Sequence, residues 1–162
     1  MSNFASAFGK KFEQNKDLVR IRSFDFGSHT FKVKVPLTVE YEAMMERVKT
    51  ADEKQVKEYY NQLAKQFQEN KATFEKEEGV EFKENDIVIQ GRSLMETARN
   101  KVITENRITA MLQMLVPEEK GFDMSTITYE MIDEIFPFSI QMELVEKIAE
   151  TISPNYTATK GK

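Results

Sequence analysis

The sequence predicts a mainly α-helical chain with a small N-terminal β-hairpin, an α+β protein whose helical bundle surrounds a central helix at 93–116. Three observations predict it. From Ser93 to Val116, the apolar residues Met95, Ala98, Val102, Ile108, Met111, Leu112 and Leu115 recur at steps of three and four, the helical period. From Leu18 to Val35 the period falls to two, with Phe24, Phe26, Phe31, Val33 and Val35 alternating with polar residues. From 53 to 78, Val56, Tyr60, Leu63, Phe67, Asn70 and Phe74 form a narrow heptad seam on a highly charged helix.

Residues 1–16 read as a flexible arm that is polar except for Phe4, Phe8 and Phe12. Four-residue spacing lines these rings along one side of a helix, though Gly9 weakens it. Such an arm either tucks onto the body's own core or docks on a neighbouring subunit or client. A single mostly helical domain is expected over 17–153, starting with the hairpin. A four-residue loop, Gly27 to Thr30, pairs Phe26 with Phe31 and Phe24 with Val33 and keeps one face apolar. A two-residue Gly-Ser turn would set Phe24 opposite Phe31 but Arg22 opposite Val33, so the four-residue loop is expected, with His29 at its tip as a turn residue.

Pro36 ends the second strand, and Thr38 is placed to cap a helix carrying Met44, Met45 and Val48. Thr50-Ala51-Asp52 breaks it before the seam helix, which packs within the chain or pairs with a copy of itself and stops at Gly79. Ile87-Val88-Ile89 fits an edge strand or a buried loop crossing. Ser93 and Glu96 have capping-box spacing at the start of the central helix, and Pro117 stops it. Thr128 caps a short helix to about Phe136. Beyond Pro137, Ser139 caps a last helix with Leu144, Val145, Ile148 and Ile152 inward, and 154–162 is a loose tail.

The 162 residues include no cysteine and one histidine, His29, so thiol chemistry and two-imidazole metal sites have no ligands. No run approaches a membrane span or the core of a signal peptide. Glycine-rich phosphate loops and the G-x-S-x-G elbow are missing. A loop from Asp123 offers Ser125 and Glu134 at calcium-loop positions three and twelve, but Thr128 stands where glycine is required. No catalytic residue, metal or cofactor is therefore expected. Charge is uneven: seven Lys and Arg face three Asp and Glu up to Lys34, against sixteen and twenty-four afterwards. That basic segment is either an ordinary solvated one or a contact for an acidic partner or nucleic acid.

Of the nine methionines, Met111, Met114, Met124, Met131 and Met142 gather in the C-terminal half. Flexible thioethers fill cores, and they also make adaptable binding surfaces. With the apolar stripe widening at the end of the central helix, a protein-binding surface is expected at Met111, Met114, Leu115, Phe136 and Phe138.

Three stretches, GSHTFKVKVPLTVEYEAMMERV, GFDMSTITYEMIDEIFP and FSIQMELVEKIAE, together resemble the tail assembly chaperones of long-tailed bacteriophages, over about residues 18 to 152. The resemblance implies a mostly helical, non-enzymatic protein that binds the tape measure protein, keeps its hydrophobic helices soluble and helps recruit tail tube subunits. It also implies work in the host cytoplasm, absence from the mature virion, and a family habit of two lengths made by frameshifting. The terminal Lys160-Gly161-Lys162 fits a slippery codon pair, so this chain is expected to be the short form. A phage structural or head-tail connector protein, and a small nucleic-acid-binding regulator using the basic segment, are the other functional readings; self-association is open in each.

Overall fold

The computed structural model describes residues 4–157, so the expected slippery-site dipeptide lies outside the described residues. The mainly helical class with an N-terminal hairpin is what is observed. The chain divides into two compact units, one made of Met1–Glu42 with Ile108–Lys162, the other of Ala43–Arg107. Two helices, α2 (Thr38–Lys49) and α5 (Leu94–Leu112), contribute residues to both.

In the first unit, a 3-10 turn at Phe4–Phe8 leads to α1 (Lys10–Asn15) and a second 3-10 turn at Lys16–Arg20. Strands β1 (Ile21–Phe26) and β2 (His29–Lys34) then form the hairpin. Its register differs from the expected one. The loop has two residues: Gly27 and Ser28 take φ of 58° and 67°, the primed turn whose twist matches that of the strands. Phe24 therefore faces Phe31, Phe26 faces His29, and Arg22 does face Val33. The inward arginine is tolerated because its guanidinium finds partners there. It donates to the carbonyls of Thr151 and Ser153 at 2.8 and 2.9 Å and lies 4.8 Å from the Tyr156 ring centroid.

The central helix also ends early. Leu112 is its last residue, and Leu115–Val116 forms β6, which pairs antiparallel with β2 and gives the sheet order β1-β2-β6. Pro117 disfavours helix at Val116, while β2 has a free edge and Lys34 N–H reaches the Met114 carbonyl at 3.0 Å. Ladder hydrogen bonds replace one more helical turn.

Helix α2 starts at the expected cap, one residue earlier than the capping reading has it. Thr38 is already helical; Glu40 instead reaches back to Leu37 N–H at 2.8 Å and also receives Arg20 Nη2 at 2.5 Å. Arg20 Nε holds the Val35 carbonyl at 2.8 Å, which ties the strand exit to the helix entry. Helix α6 (Tyr129–Ile135) is capped by Thr128 as expected. Helix α7 (Phe138–Ile152) starts behind Pro137, with Ser139 inside its first turn and not at the cap. It packs across β1 and β2. Val33, Leu144 and Ile148 are fully buried, and Ile108, Met111, Leu112, Ile132 and Val145 are nearly so.

In the second unit, the seam helix is α3 (Glu53–Glu69) and a separate single turn, α4 (Lys71–Phe74). The break falls at Asn70, which leaves helical geometry at φ −115° and ψ 33°; its side chain donates to the Gln66 carbonyl at 2.9 Å, beside its own N–H at 3.3 Å. The expected end at Gly79 is therefore too late, although Gly79 is left-handed at φ 86°. Val56, Tyr60 and Ala64 of α3 pack inside the chain, on Ala98 and Val102 of α5 and on Ile87. Strands β3 (Val80–Phe82), β4 (Ile87–Ile89) and β5 (Arg92–Ser93) form a second antiparallel sheet in the order β3-β4-β5. Ile87–Ile89 is thus a central strand, neither edge strand nor loop crossing.

Asp86 organises this unit. Its carboxylate accepts from the Ser93 hydroxyl, from Ile87 N–H at 2.8 Å and from Met95 N–H at 3.0 Å, while Ser93 Oγ accepts Glu96 N–H at 3.1 Å, the serine half of the expected capping box. Burial alone would raise its pKa. The Ser93 hydroxyl and the two amides outweigh that and hold it below the ordinary 3.8. Farther along α5, nearly buried Glu105 accepts from Tyr59 Oη at 2.5 Å.

Candidate functional site

The α6–α7 pair begins with a cap and a lock. Thr128 Oγ1 accepts Met131 N–H at 3.3 Å and fixes the start of α6. Pro137 lacks an amide hydrogen, so the turn after Phe136 needs another tie. Gln141, fully buried, supplies it: its amide donates to the Phe136 carbonyl at 2.8 Å and to Asp133 Oδ1 at 3.0 Å, and its oxygen accepts from Tyr129 Oη at 2.9 Å. A buried amide with all its partners in place fixes how the two helices meet.

With Ile132, Leu144, Val145 and Ile148 directed inward, the flanks of both helices keep apolar side chains in water. Met131 is 41 % exposed, Ile135 70 %, Phe138 55 % and Met142 40 %, two pairs at i, i+4 spacing on consecutive helices. Glu130, Asp133, Glu134, Glu143 and Glu146 of the same two helices are also exposed, and no lysine or arginine lies between Lys120 and Lys147 in the sequence. Exposed apolar pairs on two consecutive helices, among charges of one sign, make this segment the candidate surface.

The five residues expected to bind a partner separate. Phe138 is exposed on this face and Phe136 is half-buried at its turn. Met111, 4 % exposed, belongs to the core. Met114 is half-buried, its carbonyl engaged by Lys34. Leu115 pairs with Val33 in the sheet and lines an open groove of about 620 Å3 with Phe31, Val116, Pro117 and Met124. Ile135 was not among the five. Its signal was present in the sequence as an apolar residue four after Met131, outside the inward stripe of α6.

The polar candidates are occupied otherwise. His29 is the first residue of β2 and not a loop tip; its ring meets Phe31 edge-on at 4.6 Å, and Nε2 lies 4.0 Å from Glu118 Oε1, both side chains exposed. Asp123 accepts the Ser125 hydroxyl at 2.6 Å and its amide at 2.9 Å, contacts that lower its pKa and make it the cap of a 3-10 turn. Among the described residues, no three His, Cys, Asp or Glu side chains gather in a way that could hold a metal ion, and no helix is long and apolar enough to cross a membrane. Comparison with protein-family models, with curated proteins and with solved structures finds no match to this chain.

Proposed function

We propose that this chain is a non-enzymatic tail assembly chaperone of a long-tailed bacteriophage. It binds the tape measure protein and helps recruit tail tube subunits during tail construction in the host cytoplasm, and it leaves before the virion is finished. One observation supports this most. The exposed pairs Met131/Ile135 and Phe138/Met142 lie in the two C-terminal stretches that resemble that family, on a helical hairpin locked by Gln141. A long apolar helix needs a partner surface that is apolar and adaptable, and thioethers beside Ile and Phe provide one. The exposed acids of the two helices keep the complex soluble and suit a client with basic flanks.

Co-expression with the tape measure protein tests it. The full-length variant Ile135→Ser/Phe138→Ser changes only exposed side chains, so its circular dichroism and melting should match the wild type, while the soluble fraction of the client should fall severalfold. Unchanged client solubility with this variant removes the α6–α7 face from the reading. A client equally soluble without the chain removes the chaperone assignment itself.

A further inference from the structure

The first unit carries two exposed apolar surfaces of opposite charge. One is the N-terminal arm. Phe4, Phe8 and Phe12 stack edge to face with centroids 5.2 and 5.5 Å apart. The ladder continues across Gly9, where the backbone changes from 3-10 turn to α1. Phe4 remains 81 % and Phe8 60 % exposed, and Lys10, Lys11 and Lys16 stand exposed beside them. The other is the α6–α7 face, Met131, Ile135, Phe138 and Met142 among the exposed Glu and Asp of the same two helices.

We infer that the arm of one copy docks on the α6–α7 face of a second copy of this chain. Phenyl rings meet thioethers, a favourable sulfur–aromatic pairing, and lysines meet those carboxylates. The contact is heterologous, since it joins two different surfaces, and every copy offers both halves. The face assigned above to the client is then covered in the self-associated protein, and a client must displace the arm to reach it.

Sedimentation velocity on the full chain tests this. Association should grow with protein concentration and weaken as salt is raised. Phe4→Ser/Phe8→Ser and Ile135→Ser/Phe138→Ser, both full length and both at exposed positions, should each be monomeric alone, with circular dichroism confirming that they fold. Mixed, they should form a pair and grow no further, because one supplies only a face and the other only an arm. Wild-type protein that stays monomeric at every concentration, a single variant that associates as the wild type does, or a mixture that stays monomeric overturns the inference. The arm variant should still solubilise the tape measure protein. Loss of the arm contact is thereby read separately from loss of the client reading.

Discussion

Arg22 aims its guanidinium at the last carbonyls of α7, where the helix carries its negative end, and stacks on Tyr156. Arg22→Ala takes the side-chain donor from the carbonyl of buried Thr151, while Tyr156 N–H at 3.0 Å still serves the Ser153 carbonyl, and should cost about 1–2 kcal/mol. Arg22→Lys keeps the charge but not the planar fork and should lose about half as much. Urea midpoints with an unchanged slope check both. Asp86 gives a pH-dependent counterpart. Its carboxyl is held below its ordinary value in the folded protein, so its contribution is complete above the unfolded value, near 3.8, and disappears as pH falls through the lower folded one. Asp86→Asn should therefore be less stable than the wild type by a constant amount near neutrality, and the gap should close below about pH 4. Thermal melts from neutral to acid pH measure it; a gap that widens on acidification would contradict the assignment.

At the scale of elements, α3 and α5 meet over small residues. Ala64, Ala98 and Val102 are fully buried between them, which leaves no space for larger side chains. Ala98→Leu should overpack the contact and cost about 1–3 kcal/mol, while Val102→Ala, which opens a void, should cost about 2 kcal/mol. Denaturant unfolding of each variant checks the pair. The same elements show where sequence reading succeeds and where it stops. Period located the hairpin, α5 and α7, and the Thr128 cap located α6, because these signals act within a few residues. The hairpin register was not legible, since the partners of Arg22 lie at the far end of the chain. The end of α5 was not legible because β2, a distant edge, competes for Leu115 and Val116. Asn70 reads as a polar position within a continuous seam, whereas it is the C-cap of α3, its side chain folded back on the Gln66 carbonyl. For the candidate surface, Phe138 was expected and is exposed, and methionine composition singled out Met131 and Met142. It could not separate them from Met111, because burial depends on which flank a second element covers.

On the scale of the whole molecule, the second unit is one uninterrupted stretch, Ala43–Arg107, and the first is assembled from both sides of it. Ties inside the first unit are correspondingly distant. Lys32 pairs with Val116, and Arg22 reaches Thr151 across 129 residues. Contacts that close long loops form late. In refolding followed by pulsed hydrogen exchange, amides of α3, β4 and residues 94–107 of α5 should gain protection before those of β1 and β2; the reverse order would contradict this reading. In the cell, the hairpin leaves the ribosome long before the helix that covers it is made. At about 5–20 residues per second, the 129 residues between Arg22 and Thr151 take roughly 6–26 s to synthesise. Throughout that interval the nascent chain carries Phe24, Phe31 and Val33 without the α7 side chains that later exclude water from them. A ribosome stalled before Leu144 would hold that sticky hairpin indefinitely, so the codons for α7 decide when the newborn N-terminus stops being a target for proteases and holdases.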